Sequence, residues 1–362
     1  VRIAYCINGF YRAAGMERVL AEKANWLVAH GHSVSILTTD QQGRAEAFPL
    51  DPRIERYDLE IGYEDNNGGS LFDKLVHYPC KQRRHKTALA HKLAEIRPDI
   101  TVSMFCNEVN LLPKIHDGSR KILEIHFSRF KRLQYGRKGL WGLVDRLRSQ
   151  NDAKLVAQYD RFVVLTQEDK SYWPDLPNLR VIPNAKPFSL SEPASLQSHT
   201  VLAVGRYTYQ KGFDLLLKAW RMIDTKGWTL RIAGSGDALD DVPDNVVTGL
   251  STDIVDEYRN AAFLVMSSRF EGLPMALLEA QAAGLPIVSF ACKCGPKDVI
   301  TDGEDGILVP EGDIGGLSNG MKRLMADESL RLSMGQAAFR NSERFDKEKI
   351  MSKWETLFQE LS

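Results

Sequence analysis

The most chemically loaded stretch of the chain is Phe270-Glu271-Gly272-Leu273-Pro274-Met275-Ala276-Leu277-Leu278-Glu279-Ala280, with seven residues between its two carboxylates. Pro274 suits the first helical position, where its missing N–H has no partner to lose. The backbone N–H groups of Gly272 and Leu273 then lie at the positive end of a helix, where they can meet a phosphate. Gly272, lacking a side chain, lets a ligand come close. Glu271 sits in the loop beside whatever the phosphate carries, and Glu279, a turn and a half further in, can reach a sugar hydroxyl. That is the outline of a nucleotide-sugar site. The plainer reading is an amphipathic helix with two solvated glutamates, ended by Gly284 and Pro286. Residues upstream decide between them.

Gly205-Arg206-Tyr207-Thr208-Tyr209-Gln210-Lys211-Gly212 follows a strand-like run and places two cations where they can converge on one diphosphate. Each charge-assisted contact of that type contributes about 1.5–3 kcal/mol. Such contacts strengthen as charge builds on a departing nucleoside diphosphate. Gly15, in the loop Arg12 to Arg18, can bring backbone N–H groups to a phosphate from an opposite wall. The Gly-x-Gly-x-x-Gly dinucleotide spacing is missing there. His126 ends a strand, and its neutral imidazole can bond a sugar hydroxyl. Gly234-Ser235-Gly236-Asp237 and Thr248-Gly249-Leu250 close two further strands and are placed to flank a base. The sequence holds no Asp-x-Asp pair, so Arg206 and Lys211 are expected to supply the positive charge at the diphosphate, with no metal.

These residues need a frame. Short apolar runs alternate with helical patterns along the whole chain, as in a parallel α/β sheet covered on both faces. The predicted strands are Arg2–Ile7, Ser33–Thr38, Ile100–Met104, Lys121–Ile125 and Arg161–Leu165, with a helix from Glu17 to His30. Pro183 to Pro187, then the Ser- and Pro-rich stretch from Ser189 to Ser198, reads as a linker. After it the pattern restarts with Thr200–Gly205, a helix from Phe213, Thr229–Ala233, Val246–Thr248, Phe263–Ser267, the Pro274 helix and Pro286–Phe290. The expectation is two Rossmann-like domains, 1–184 and 185–345, facing across a cleft. A last amphipathic helix in 346–362 returns to the first domain. Ligands in such sheets bind beyond the carboxyl ends of the strands, where each of these loops falls.

Composition narrows the function classes. At 362 residues the chain exceeds a usual single core. No apolar run approaches the roughly 20 residues that span a bilayer, and the opening residues read as a strand, not a leader. Five scattered cysteines fit a reducing compartment better than a disulfide framework. Net charge is zero, but residues up to Pro183 carry an excess of about six positive charges, offset in the remainder. Nucleic acid is excluded as a partner: the basic clusters Lys81–Lys86 and Arg129–Arg148 belong to no recognised module. Arg129–Arg148 interleaves its charges with Phe130, Leu133, Leu140, Trp141 and Leu143, which suits an anionic membrane surface. A surface helix packing one apolar face on its own domain is the competing reading.

Taken in order, Ala14-Gly15-Met16-Glu17-Arg18, His126, Gly205-Arg206 with Lys211-Gly212, Gly234-Ser235-Gly236 and Glu271 through Glu279 resemble the family-four retaining glycosyltransferases of the GT-B fold. The resemblance implies a nucleotide-sugar donor, UDP- or GDP-linked, held mainly by the second domain, and an acceptor held mainly by the first. It implies that Arg206 and Lys211 neutralise the leaving diphosphate and that Glu271 contacts the transferred sugar. Gly272 and Leu273 donate backbone N–H groups, Glu279 holds the ribose, and His126 touches the sugar near its sixth carbon. Gly15, Gly205, Gly234, Gly249 and Leu250 complete the donor-binding set. Retention by front-face attack follows, the leaving phosphate helping to deprotonate the acceptor. The family often has two glycines where this chain has Ala14-Gly15.

The Gly15-Met16-Glu17-Arg18 form also resembles enzymes that extend bacterial surface polysaccharides or lipid-linked oligosaccharides, working in the cytoplasm or at the inner face of the membrane. The expected reaction moves a hexose or N-acetylhexosamine to a glycan or lipid-linked glycan acceptor, without a cofactor. Two alternatives stay open at this point. One is a nucleotide-sugar epimerase or hydrolase of the same fold, which needs acid and base carboxylates in the cleft. The other is a sugar-nucleotide-binding module without turnover.

Overall fold

The computed structural model describes residues 1–66, 71–130 and 140–361. The first half forms a seven-stranded, all-parallel sheet of β1 (Arg2–Ile7), β2 (Ser33–Thr38), β3 (Glu55–Asp58), β4 (Ile100–Ser103), β5 (Arg120–Glu124), β6 (Arg161–Val164) and β7 (Leu179–Val181). Their order is β3-β2-β1-β4-β5-β6-β7. The second sheet has six parallel strands, β8 (Thr200–Val204), β9 (Thr229–Ala233), β10 (Val246–Gly249), β11 (Phe263–Met266), β12 (Ile287–Phe290) and β13 (Gly306–Val309), in the order β10-β9-β8-β11-β12-β13. Both sheets reverse direction beside their first strand, and the gap left there by diverging crossovers is where α/β sheets take ligands.

The apolar runs become central strands because both faces are covered. β1 buries five of its six residues, and β4, β11 and β12 bury all of theirs. The strands absent from the sequence reading are at or near edges. β3 reads Glu-Arg-Tyr-Asp with no buried residue, and β7 is only three residues long. Such strands carry no apolar signature, because one face or one edge meets water. A helix over Leu71–Ile96 also escaped the sequence reading: it runs through Pro79, which removes a donor and normally breaks a helix. The Lys81–Lys86 cluster lies on it, with His85 buried and Arg83, Arg84 and Lys86 exposed.

The Ser- and Pro-rich linker is packed against the second domain. Lys186 N–H bonds the Phe345 carbonyl at 2.8 Å, Ala194 N–H bonds the Ala283 carbonyl at 2.8 Å, and Leu196 joins the core. Its few apolar residues were enough to dock it, which a purely compositional view of linkers misses.

The final helix, Lys347–Gln359, lies on the first sheet's core. Ile350, Met351, Trp354, Leu357 and Phe358 pack with Ile3, Leu20, Trp26 and Ile36. Glu348 accepts the Trp26 indole N–H at 2.8 Å. The chain therefore crosses between domains twice. Trp354 is fully buried, and its ring lies 3.7 Å from the Lys23 ammonium. Trp354→Ala is expected to cost about 3–5 kcal/mol of stability, measured by urea unfolding. The loss should appear in the unfolding of the first domain, to which the helix is bound.

Candidate functional site

The loop after β8 and the loop after β11 are neighbours at the reversal point of the second sheet. The first carries Lys211, the second Glu271, and the Lys211 ammonium bonds Glu271 Oε1 at 2.7 Å. The Gln210 side-chain amide donates a hydrogen bond to the Phe270 carbonyl at 3.0 Å. Gly212 makes this register: at φ +64° it starts the helix Phe213–Arg221, and a Cβ there would lie 2.2 Å from the Ser267 carbonyl oxygen. Beyond Glu271, the N–H groups of Gly272 and Leu273 have no partner among the described residues. They sit at the head of the helix Met275–Ala283, where the dipole favours an anion. Pro274, expected at the first helical position, is instead the residue before it, with ψ 112°. Its ring fixes the turn into the helix from outside. The helix ends as expected at Gly284, in left-handed conformation.

Arg206, on the same loop as Lys211, is exposed, and its side chain makes no hydrogen bond or ion pair among the described residues. Its charge reaches Glu17 of the first domain. The two cations expected to converge therefore differ: Lys211 is held by Glu271, while Arg206 stays available. The glycine loops that close β8, β9 and β10 are stitched together. Gly205 N–H bonds Ala233, Gly234 N–H bonds Gly249, and the Tyr207 hydroxyl takes Gly249 N–H at 2.8 Å while donating to Ile232 at 3.0 Å. Tyr207 has no charge or glycine to draw attention in a sequence, yet it braces all three loops. Gly249 faces open space and Leu250 is 75% exposed, so this wall can still receive a flat apolar group.

Gly272 is also a point of contact between the domains. A Cβ there would fall 2.5 Å from the His126 carbonyl oxygen and 2.8 Å from the Phe127 Cα. The close approach is made by the first domain's backbone, so the missing side chain lets two domains meet. Further contacts hold the same interface. Asp298 accepts from Gln167 N–H at 2.7 Å, and Glu168 accepts from Cys294 N–H at 3.0 Å. Arg18 reaches over to Glu279, Nη1 to Oε1 at 2.8 Å, and the Tyr258 hydroxyl donates to Oε2 at 2.7 Å. Glu279 is buried and both oxygens are engaged, although each keeps a second lone pair for a hydroxyl. Arg18 enters the sequence reading only as the end of a motif and Tyr258 not at all, because their partner is more than twenty residues away or in another domain.

On the first domain, His126 follows β5 with both ring nitrogens buried and without hydrogen bonds among the described residues. Nε2 lies 3.1 Å from Glu124 Oε1, out of line for a bond. Glu124 is itself held by the Lys23 ammonium at 2.5 and 2.7 Å. Burial alone would raise the Glu124 carboxyl, but Lys23 and His126 outweigh it and bring it down to about 2. Gly15 opens the helix Gly15–Ala29, and the space where its side chain would be is clear. Of the basic stretch offered above as a membrane surface, 131–139 lies outside the described residues, and 140–148 belongs to the helix Leu140–Val156, on which Arg146 is exposed. Among the described residues no helix is long and apolar enough to cross a membrane, and no group of three metal-ligating side chains converges.

Residues 198–327 match the family described as Glycosyl transferases group 1. The amylovoran biosynthesis glycosyltransferase AmsD of Erwinia amylovora is 35% identical over 54% of this chain, and that match spans 61% of AmsD's own length. A Campylobacter jejuni N-acetylgalactosaminyltransferase named for a diphospho-undecaprenol-linked glycan is 25% identical over 96% of both chains. In fold, the chain is similar to sucrose-phosphate synthase from Thermosynechococcus elongatus, with a TM-score of 0.83 at 18% identity over 99% of this chain and 98% of that one. It is also similar to Anabaena Alr3699/HepE in complex with UDP and glucose, TM-score 0.74 at 15% identity over 98% of each chain. The fold is GT-B, two Rossmann-like domains face to face.

Two outcomes check the geometry. Gly272→Ala should destabilise by about 1–3 kcal/mol, since backbone has to move to admit the methyl, and small-angle scattering should show a larger radius of gyration. The Lys23–Glu124 pair should weaken in acid. A carboxylate whose folded pKa is depressed stabilises above its unfolded value, and that stability is lost as pH falls from about 4.5 to about 2. Glu124→Gln, which leaves Lys23 buried and unpaired, should cost about 3–5 kcal/mol near neutrality. It should also flatten that part of the stability profile measured by thermal unfolding.

Proposed function

We propose that the protein is a retaining glycosyltransferase moving a hexose or N-acetylhexosamine from a nucleoside diphosphate sugar to a glycan or lipid-linked glycan acceptor. The observation that carries this is the Lys211–Glu271 pair, set across adjacent loops at the head of the Met275–Ala283 helix with two free N–H groups beside it. Unpaired Arg206 adds a cation on the same loop as Lys211. A diphosphate lying here would meet the helix dipole, two backbone donors, Lys211 and Arg206. All of these gain strength as the anomeric bond breaks and charge moves onto the departing phosphate.

Glu271 suits the transferred sugar better than it suits the phosphate, which it would repel. One of its oxygens is bonded to the Lys211 ammonium, which lowers its power as a nucleophile. That supports attack from the leaving-group face, with retention and with the phosphate taking the acceptor's proton. Glu279, with a lone pair free on each oxygen, would receive the ribose hydroxyls. The apolar wall at Leu250 would take the base. A uridine donor is favoured by the UDP complex of the similar Anabaena protein. A lipid-linked or surface-polysaccharide acceptor is favoured by what the Campylobacter and Erwinia relatives are named for. Such an acceptor would bring the protein to the inner face of the membrane.

The diphosphate's charge is met by the protein's own groups, so chelation by EDTA should leave the initial rate unchanged. In a thermal-shift panel of UDP- and GDP-linked sugars, a true donor at 100 times its Kd should add about 2.7 kcal/mol of stability. Proton NMR of the product should show the donor's anomeric configuration. A panel without stabilisation, or an inverted product, overturns the proposal.

A further inference from the structure

Glu17 is a buried carboxyl with no role in the transferase reading. It occupies the third position of the Gly15–Ala29 helix and is 6% exposed. A glutamate there ordinarily closes a capping box by bonding the N–H of the residue preceding the helix. That residue is Ala14, whose N–H is already given to the Arg12 carbonyl at 2.9 Å. The Glu17 carboxyl is bonded from its own backbone N–H, and Oε2 is left buried with no partner among the described residues. The charges facing it come from three elements: Arg12 on its own loop, His126 at the end of β5, and Arg206 on the second domain. Glu17 lies in the first turn of the helix that follows β1, at the carboxyl edge of the first sheet, and Arg206 of the second domain is among the charges that reach it. Burial holds its carboxyl above the usual carboxylate range against the pull of those cations.

A buried acceptor atom without a donor costs about 1–3 kcal/mol. Sites that keep such a group are where function outweighs stability. What would satisfy Oε2 is a hydrogen-bond donor carrying no negative charge. A phosphate is ruled out by repulsion, and a sugar hydroxyl fits.

We propose that Glu17 binds a hydroxyl of the acceptor sugar and holds that sugar against the diphosphate wall formed by Arg206 and Lys211. It is thus an acceptor-binding residue, and its selectivity is for polyols with a free hydroxyl at that place. This assignment rests on the transferase reading. A hydroxyl of the donor sugar has the same chemistry, and the test separates the two sources.

The experiment compares the parent with Glu17→Gln and Glu17→Met. The probes are the sugar nucleotide that stabilises the parent and a panel of octyl hexosides as acceptors. Glu17→Gln should lower kcat/KM for the octyl hexoside by about 10- to 100-fold, the worth of one hydrogen bond to a charged group. The change should fall mainly on the acceptor's KM. Donor-induced stabilisation should stay at the parent value. Glu17→Met, lacking the unpaired carboxylate, should unfold at the same or a higher temperature than the parent without ligands. An unchanged acceptor KM overturns the assignment. So does an equal loss of donor stabilisation, which would place the donor's sugar on Glu17, and so does a clear fall in the unfolding temperature. If the parent itself transfers to no acceptor, the transferase reading fails first and takes this assignment with it.

Discussion

The architecture turns on a backbone contact. At Gly272 the second domain approaches the His126–Phe127 backbone so closely that a single added carbon would lie 2.5 Å from a carbonyl oxygen. That contact fixes how the carboxyl edges of two sheets face each other. It brings the strand-end loops of β1 and β5 opposite those of β8 and β11, and each wall contributes groups the other lacks. Arg18 can then reach Glu279 across the cleft, and Glu17 can lie in the field of Arg206.

Three charge pairs of the cleft follow one pattern. Lys211 answers Glu271, Arg18 answers Glu279, and Lys23 answers Glu124. Each pair joins separate elements, so each is a positional constraint as well as an electrostatic one. Arg206 and Glu17 stand outside the pattern: among the described residues the guanidinium has no bonded partner and the carboxylate keeps an empty oxygen. Facing each other from different domains, they suit a ligand that is anionic at one end and bears hydroxyls at the other. The Arg18–Glu279 pair is only partly buried on the arginine side, 28% against 5%. Its loss on opening is therefore modest, and relative domain motion remains accessible.

The last helix ties this arrangement to the end of the chain. Trp354 covers the Lys23 ammonium, Lys23 holds Glu124, and Glu124 lies beside His126 at the cleft. A residue eight positions from the C-terminus thus stands three contacts from the site. None of those links is local in sequence, and only the packing of the final helix on the first sheet creates them.

Local chemistry was legible in the chain. The two Rossmann-like halves follow from short apolar runs separated by helical periods, because a strand covered on both faces must be apolar throughout. The strand-end positions of Gly205, Arg206, Lys211, Gly234, His126 and Glu271 follow too, since glycine, a cation and a helix start are each recognisable where they stand. Tertiary structure decided what those residues face. Gly272 is as small for a domain as for a ligand, and nothing in the segment from Phe270 to Ala280 says which comes near. Likewise Arg18, Tyr258, Tyr207 and Glu17 acquire their roles from partners on other loops or in the other domain. A charge carries no mark of its counter-ion in the sequence. Only folding, by choosing which charges are buried together and which one is left without a partner, assigns it.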